Sequence, residues 1–235
     1  IYSADPRDVP GARLWKQIRH DHMVELAARG AGVLHLRSVQ LAARYGVPLQ
    51  VMNSLKNGSS AEGTRVVKGS VDRGMEQYQV VGITLDSDRV HVRVNCARPT
   101  VVSALWAAAK ENQLPVYSPW FNREEVQFFA EKEMAEEWKR VLDKLTLDGF
   151  LSEYSVDEKL LPVSVVGDRL TQDGYALCEI HDVFAKEQIE AQSGTASPLA
   201  LTFFVPAHRA HDAVRALHER FQANIQSFQN EGNTK

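Results

Sequence analysis

The stretch LLPVSVVGD, residues 160–168, decides the fold because it begins the clearer of two similar patterns. Its apolar residues predict a buried β-strand. Downstream lie a helical pattern, two further strands and a second helical pattern: ALCEIHDVFAKE (176–187), QIEAQS (188–193), PLALTFFVP (198–206) and AHRAHDAVRALHERF (207–221). The order from residue 160 onward is therefore βαββα.

The same order occurs once upstream, in residues 89 to 156. Strands are predicted at 89–95, 114–121, 124–131 and 149–156, and helices at 101–112 and 132–145. Two copies of about 70 residues with this order indicate an internal repeat, recognisable by element order more than by identity. The predicted fold class is α+β, with two ferredoxin-like βαββαβ modules.

The second copy lacks its closing strand, because QANIQSFQNEGNTK (222–235) is too polar to form one. A surplus strand lies upstream, either Thr64 to Lys68 or Tyr78 to Leu85. An open sheet edge would expose unpaired backbone groups. We therefore expect the upstream strand to fill that edge, which means that the first module is inserted into the second.

The composition favours a globular, cytoplasmic protein. The 235 residues are 44% hydrophobic, and the formal net charge is −3. No basic field favours nucleic acid or an anionic membrane, and no apolar run approaches the roughly 20 residues that span a bilayer. Cys96 and Cys178 lie far apart in apolar patterns, which predicts reduced structural thiols.

The N-terminal 66 residues carry the most specific landmarks. In order, these are IYSADPRDVPGAR (1–13), MVELAARGAGVLHLRSVQLAARYGVPLQV (23–51) and a polar Gly/Ser-rich loop that ends in EGTRVV (62–67). The stretch closely resembles the part of aspartate kinases that ends the amino-acid-kinase domain and leads into paired ACT domains. VSVVGD (163–168) and LTFFVP (201–206) resemble strands of a second ACT module, so the resemblance covers nearly the whole chain.

The resemblance implies a domain organisation. Residues 1–60 are expected to form the C-terminal segment of the kinase domain, 61–85 a linker with one or more strands for the second ACT module, 86–156 the first module, 157–225 the second and 226–235 a polar tail. Because the opening motif lies late in the kinase domain of such enzymes, about half of the enzyme would precede Ile1. That half would carry the Lys-Phe-Gly-Gly phosphate-binding start and the aspartate site.

The resemblance also implies a function. The chain would be the regulatory half of an aspartate kinase, inactive by itself and dimerising through its ACT modules. ATP with magnesium would bind the intact enzyme, and none is expected on this chain; no metal site is predicted. A free-standing, amino-acid-sensing regulatory subunit is the alternative.

Candidate nucleotide contacts are Tyr2, Asp5 and Arg7. In aspartate kinases this motif lies on a loop that helps hold ATP. An arginine offers a guanidinium fork to phosphate oxygens, and Asp5 offers an acceptor. Taken alone, the same residues also fit an Asp-Pro turn with an exposed arginine.

Candidate effector contacts lie in the first module. ACT modules of such enzymes usually bind an amino acid where the first helix begins, with backbone N–H groups facing the effector carboxylate. The chain has Ala97 and Thr100 where the family usually has Asp and Gly, and Tyr117 where an acidic residue often meets the effector's amino group. The predicted contacts for lysine or threonine are Arg98, Thr100, Val101, Val102 and Tyr117.

Further features have less specific interpretations. In the second module, Asp173-Gly174 is nearer the family's turn, and residues 193–197 form either a loop near the module interface or an ordinary flexible loop. Histidines 208, 211 and 218, like His20 and His22, are interpreted as helix-edge residues. His211 and His218 lie about 10 Å apart along the helix, too far to share one metal ion. Trp106, Trp138 and Phe184 are predicted to be core residues.

Overall fold

The computed structural model describes residues 1–53, 63–69, 78–95, 99–172 and 174–227. The chain divides into two compact units. One contains Ile1–Asp86, Pro162–Val205 and Arg209–Lys235, and the other contains Ser87–Leu161 with Pro206–His208. Within the described ranges, no helix is long and apolar enough to cross a membrane.

The N-terminal segment forms a small α/β layer. Its elements are β1 (Gln17–Arg19), α1 (His20–Ala28), α2 (Leu36–Tyr45), β2 (Leu49–Met52) and β3 (Gly63–Val67), followed along the chain by β4 (Gln79–Leu85). Helix α2 ends where Gly46 adopts a left-handed conformation with φ of 65°, which glycine adopts without strain. Strand β3 lies between β1 and β2, parallel to β1 and antiparallel to β2.

The first module has the predicted βαββαβ order. It contains β5 (Arg89–Asn95), α3 (Pro99–Glu111), β6 (Tyr117–Phe121), β7 (Glu125–Glu131), α4 (Ala135–Leu147) and β8 (Tyr154–Asp157). The antiparallel sheet has the order β6-β7-β5-β8. This is the arrangement of a ferredoxin-like module, with the two helices on one face of the sheet.

The core of the first module lies between that sheet and its helices. Alternate residues of β5 and β7 point into it, together with one stripe from each helix. Trp138 of α4 and Phe128 of β7 are fully buried, and their ring centroids lie 4.7 Å apart. Leu105 and Leu142 complete the contact between the helices. Trp138 is thus a core residue, as predicted, and Trp106 packs partly buried against the same core.

The second module contains β9 (Leu160–Asp168), α5 (Tyr175–Lys186), β10 (Ser193–Ser197), β11 (Ala200–Pro206) and α6 (Ala210–Ser227). Its sheet has the order β10-β11-β9-β4. Strand β4 pairs antiparallel with β9, from Gln79 opposite Asp168 to Leu85 opposite Val163. The predicted insertion of the first module into the second is therefore confirmed, and β4 is the strand that fills the edge.

The structure decides or corrects several expectations about individual segments. Of the two candidate edge strands, Gly63–Val67 belongs to the N-terminal sheet instead. The strand predicted at residues 188–193 begins only at Ser193: the strand that pairs with β11 is Ser193–Ser197, so these residues are not a loop. The region after Phe221 continues α6 to Ser227, since Ile225 is buried. Cys178 is a free, exposed thiol on α5 rather than a buried one. Cys96 lies outside the described residues.

Candidate functional site: the Asp-Pro-Arg turn and the first turn of α3

The Asp-Pro-Arg turn, residues 2–7, is a tight loop closed by backbone hydrogen bonds. Tyr2 forms an antiparallel bridge with Leu14, and Ser3 N–H donates to the carbonyl of Arg13 over 2.9 Å. The Asp5 carbonyl accepts the N–H groups of the residues three and four positions later, at 3.0 and 2.9 Å. Proline at position 6 suits this turn because its fixed φ matches the first central position.

Asp5 and Arg7 bind each other across the turn. The Arg7 guanidinium donates to both carboxylate oxygens of Asp5, with Nη2 2.6 Å from Oδ2, and the Arg7 N–H donates to Oδ1 at 2.8 Å. These hydrogen bonds lower the pKa of Asp5, so its carboxylate is charged at neutral pH. The Arg7 side chain is 90% exposed. An exposed guanidinium can meet a phosphate group, as the nucleotide interpretation requires, but an Asp-Pro turn with a surface arginine has the same geometry.

The segment that contains the Asp-Pro-Arg turn is hydrogen-bonded to β4, the outer strand of the second module's sheet. Ile83 N–H donates to the Ser3 carbonyl at 2.8 Å, and the fully buried Trp15 donates its indole N–H to the Val81 carbonyl at 3.0 Å. The β4–β9 register shifts between Val80 and Gly82. A Cβ at Gly82 would lie 3.1 Å from the Ser3 carbonyl oxygen, so a residue without a side chain suits this close approach.

A second, buried cluster joins the N-terminal segment to the end of β9. The Arg19 guanidinium donates to both oxygens of Asp168, at 2.9 and 2.8 Å, and also to both oxygens of Asp21. Fully buried His22 places Nε2 3.1 Å from Asp168 Oδ2. Burial alone would raise the pKa of Asp168, but the hydrogen bonds and charges of His22 and Arg19 outweigh it and lower that pKa to about 2.

Sequence reasoning missed this cluster, although RHDH (19–22) was visible as a charged start to a helix. The partner Asp168 lies 149 residues away, and no local pattern marks it. His22 and His20 are buried rather than at a helix edge, because α1 lies between the N-terminal sheet and the second module. The same correction applies to His218, which is buried against the N-terminal segment. His208 and His211 are exposed, as expected of helix-edge residues.

In the first module, the candidate effector residues lie in two separate places. Thr100, Val101 and Val102 form the first turn of α3, whose N–H groups have no partners within the helix. Val101 is buried in the module core, whereas Thr100 is exposed. Arg98 and Ala97 lie outside the described residues.

Tyr117 lies on the face of the sheet opposite α3. Its hydroxyl donates to Glu131 Oε1 at 2.5 Å, and the Arg89 guanidinium lies 3.8 Å from its ring centroid. Arg89 and Glu131 are directly paired across β5 and β7, next to the core pair Val90 and Ala130, and so point away from the core. Within a single copy of the chain, Tyr117 and the first turn of α3 therefore lie on opposite sides of the sheet. The acidic side chain beside Tyr117, Glu131, is one that the sequence did not single out.

The remaining candidates are placed as follows. Gly174 has φ of 69° and precedes α5, while Asp173 lies outside the described residues. Phe184 is buried, as predicted. In the described part of the chain, no group of three or more His, Cys, Asp or Glu side chains has the arrangement of a metal site.

The chain is similar in sequence to known aspartate kinases and, in its N-terminal part, to the amino acid kinase family. The sequence model of the amino acid kinase family matches residues 1–53. The aspartate kinase of Pseudomonas putida is 29% identical over 239 residues, which cover 98% of this chain and 57% of the relative. The chain thus spans little more than half the length of that relative.

Two solved structures share the fold. Aspartokinase III of E. coli, in complex with aspartate and ADP, matches with a TM-score of 0.79 and 21% identity, over 94% of this chain and 50% of its own. The regulatory subunit of aspartate kinase from Thermus thermophilus matches with a TM-score of 0.56 and 20% identity, over 61% of this chain and 98% of its own. The predicted resemblance and fold class are confirmed.

Proposed function

Because the chain resembles aspartate kinases over nearly its whole length, we propose that it is the regulatory half of such an enzyme. The intact enzyme transfers the γ-phosphoryl group of ATP to the β-carboxylate of L-aspartate. The products are ADP and 4-phospho-L-aspartate, in the first step of lysine, threonine and methionine synthesis. One observation carries the proposal: a segment that matches the amino acid kinase family is followed in the same chain by two ferredoxin-like modules.

We propose that the Asp-Pro-Arg turn contributes to nucleotide binding in the intact enzyme, where ATP binds with magnesium. The exposed Arg7 guanidinium provides the donors for phosphate oxygens. The ADP in the E. coli structure supports a nucleotide site in this group of enzymes. Tyr2, which is 44% exposed, is available to line the same surface.

The alternative, a free-standing regulatory subunit, is less well supported. A subunit that acts only by binding an amino acid has no need of residues 1–53, yet these residues match the kinase family. The two possibilities differ in what precedes Ile1 in the reading frame. An upstream Lys-Phe-Gly-Gly start favours the kinase, and its absence favours the free-standing subunit.

The first prediction concerns catalysis. Residues 1–235 alone should form no ADP in response to aspartate, because the phosphate-binding start and the aspartate site are absent from the sequence. The protein made from the extended reading frame should form ADP only when aspartate is present. A coupled ADP assay on both proteins is the measurement. Aspartate-dependent activity in residues 1–235, or none in the extended protein, would show the assignment to be wrong.

We further propose that the chain dimerises through its ACT modules and that lysine or threonine binds at that interface. Each module is small for independent stability, and pairing covers exposed sheet surface. Because the effector carboxylate is expected at the first turn of α3 and its ammonium beside Tyr117, on the opposite face of the sheet, a second copy is needed to bring the two halves together. An effector bound there favours one dimer arrangement over another.

The second prediction concerns this effector site. Thr100→Glu places a carboxylate at the start of α3, where it competes with the effector carboxylate for the free N–H groups. Lysine or threonine affinity should fall about fivefold, the equivalent of roughly 1 kcal/mol. Tyr117→Asp should raise the weak affinity for lysine by a similar factor, because it adds an acidic partner for the ammonium beside Glu131.

The control is Ser103→Glu, which adds the same charge at an exposed position further along α3. Titration calorimetry with lysine and with threonine gives the affinities, and sedimentation of the same samples gives the oligomeric state. Equal losses in Thr100→Glu and Ser103→Glu would contradict the proposed site. Tight lysine binding that Tyr117→Asp abolishes would contradict the role of Tyr117.

A further inference from the structure

Helix α6 presents one side chain or carbonyl to the N-terminal segment every seven residues. His211 Nδ1 lies 2.8 Å from Asp8 Oδ1, and His218 Nε2 lies 2.8 Å from Ser3 Oγ. The carbonyl of Ile225 accepts a hydrogen bond from the Arg13 guanidinium at 3.5 Å. Seven residues are about two helical turns, so the three positions share one face of α6. That face follows the loop that contains the Asp-Pro-Arg turn.

The central contact, between His218 and Ser3, is buried. Ser3 is 0% exposed and His218 is 4% exposed. The Arg13 N–H donates to Ser3 Oγ at 2.9 Å, and the same oxygen lies 2.8 Å from His218 Nε2. The hydrogen of the second contact belongs to the Ser3 hydroxyl or to the imidazole ring, according to the tautomer of His218. Burial lowers the pKa of His218 and so favours the neutral imidazole.

Every polar group of Ser3 is engaged. Its N–H donates to Arg13, its carbonyl accepts from Ile83 of β4, and its hydroxyl bridges Arg13 and His218. Ser3 lies inside the Asp-Pro-Arg turn, next to Tyr2 and two residues before Asp5. The second module therefore holds the turn both through its edge strand and through its last helix.

We propose that His218 is a positioning residue for nucleotide binding: through Ser3 it fixes the Asp-Pro-Arg turn, so that α6 of the second module sets the placement of Asp5 and Arg7. The expected effect on ATP binding rests on the proposed function. The structural part, that His218 holds the Asp-Pro-Arg turn in place, does not depend on it. His211 and Asp8 make the outer, exposed contact of the same face, with the His211 side chain 56% exposed. His218 is the contact from which a large effect is expected, since its hydrogen bond is shielded from water.

The structural part is tested on residues 1–235 by hydrogen exchange with mass spectrometry. In His218→Ala, the amides of residues 1–14 should exchange about tenfold faster, because a local opening loses roughly 1.4 kcal/mol of protection. Exchange in β9 and β11 should stay within twofold of the parent. His218→Gln, which keeps an acceptor at a similar distance from the backbone, should recover much of the protection.

Two control variants separate positioning from general loss of stability. Glu219→Ala changes the neighbouring, exposed residue of α6 and should leave the exchange unchanged. Ile180→Ala weakens the core of the second module from α5 without touching the loop, and should not selectively expose residues 1–14. If His218→Ala leaves residues 1–14 protected, or if Ile180→Ala exposes them equally, the positioning role is wrong. If His218→Ala fails to fold, His218→Gln and Ser3→Ala give the same comparison.

The functional part is tested on the protein from the extended reading frame. His218→Ala should raise KM for ATP about fivefold while kcat and KM for aspartate stay within twofold, because a misplaced turn loses binding that is equal in ground and transition states. His218→Gln should restore KM for ATP. An active enzyme with unchanged KM for ATP overturns the inference. A parent enzyme without aspartate-dependent activity overturns the proposed function instead, and the exchange experiment still decides the structural part.

Discussion

Asp168→Ala is expected to lower the free energy of unfolding by about 3 kcal/mol, the lower end of the range for breaking a buried ion pair. The Arg19 and Asp168 side chains are only 13% and 17% exposed, and His22 is fully buried. Removing the carboxylate takes away the oxygen that lies 3.1 Å from His22 Nε2 and one of the two carboxylates that Arg19 binds. Because Asp21 still receives two hydrogen bonds from Arg19, the loss should not reach the upper end of the range.

Urea unfolding followed by circular dichroism measures this loss. The matched control is the double variant Arg19→Met with Asp168→Leu, which removes both members of this ion pair and should recover at least half of the stability. A single variant as stable as the parent would show that the cluster contributes nothing. A double variant less stable than Asp168→Ala would show that the charges are favourable in themselves.

The contribution of Asp168 to the free energy of unfolding should decrease as the pH is lowered. The folded pKa of Asp168, about 2, lies below its ordinary value of 3.8. Its contribution to stability is therefore fully present above about pH 5 and is lost as the pH falls toward 2. The parent should lose about 2 kcal/mol more than Asp168→Asn between pH 5 and pH 2, from the size of the pKa shift. Parallel curves for the two proteins would contradict the assignment.

Trp138→Ala should destabilise the first module by about 3 to 5 kcal/mol, the usual cost of truncating a buried aromatic residue. Trp138 is fully buried against Phe128, with the rings 4.7 Å apart, so truncating it leaves a cavity in the core of the first module. Among the described residues, its indole N–H has no hydrogen-bond partner. Trp138→Phe should therefore cost much less, since it removes an unsatisfied donor along with part of the volume.

Leu147→Ala is the control on the same helix, because this leucine is 87% exposed and its truncation should change stability by less than about 0.5 kcal/mol. Urea unfolding of the three variants gives the comparison. A loss below about 1 kcal/mol for Trp138→Ala would mean that the core of the first module relaxes around the missing ring. Equal losses for Trp138→Phe and Trp138→Ala would contradict the account of the indole N–H.

Sequence reasoning recovered the two modules because their signals are local. Strand β9 was predicted with the bounds that the structure has, and Trp138 of α4 was predicted as a core residue. The choice between two edge strands was open, because Thr64 to Lys68 and Tyr78 to Leu85 are both short apolar runs. Only the pairing with β9 separates them, and pairing partners lie far apart in sequence.

The predictions that were wrong or missing concern contacts between segments that are distant in the sequence. Ser3 and His218 are 215 residues apart, and their hydrogen bond has no trace in the pattern of either segment. His218 looked like an edge residue because it flanks the apolar stripe of α6; it is buried because the N-terminal segment covers that side. The first turn of α3 was predicted from resemblance, whereas the pairing of Tyr117 with Glu131 depends on the register of β6 and β7.

The pairing of β4 with β9 also determines where a segment of the chain can be replaced. Leu85 pairs with Val163, and Asp86 N–H donates to the carbonyl of Pro162 at 3.1 Å. The chain therefore leaves the second module and returns to it at one point, and residues 87–161 are topologically a long hairpin loop. The entropy of closing a loop grows only slowly with its length. As far as loop-closure entropy is concerned, replacing residues 87–161 by a shorter or a longer segment should therefore cost the β4–β9 pairing little.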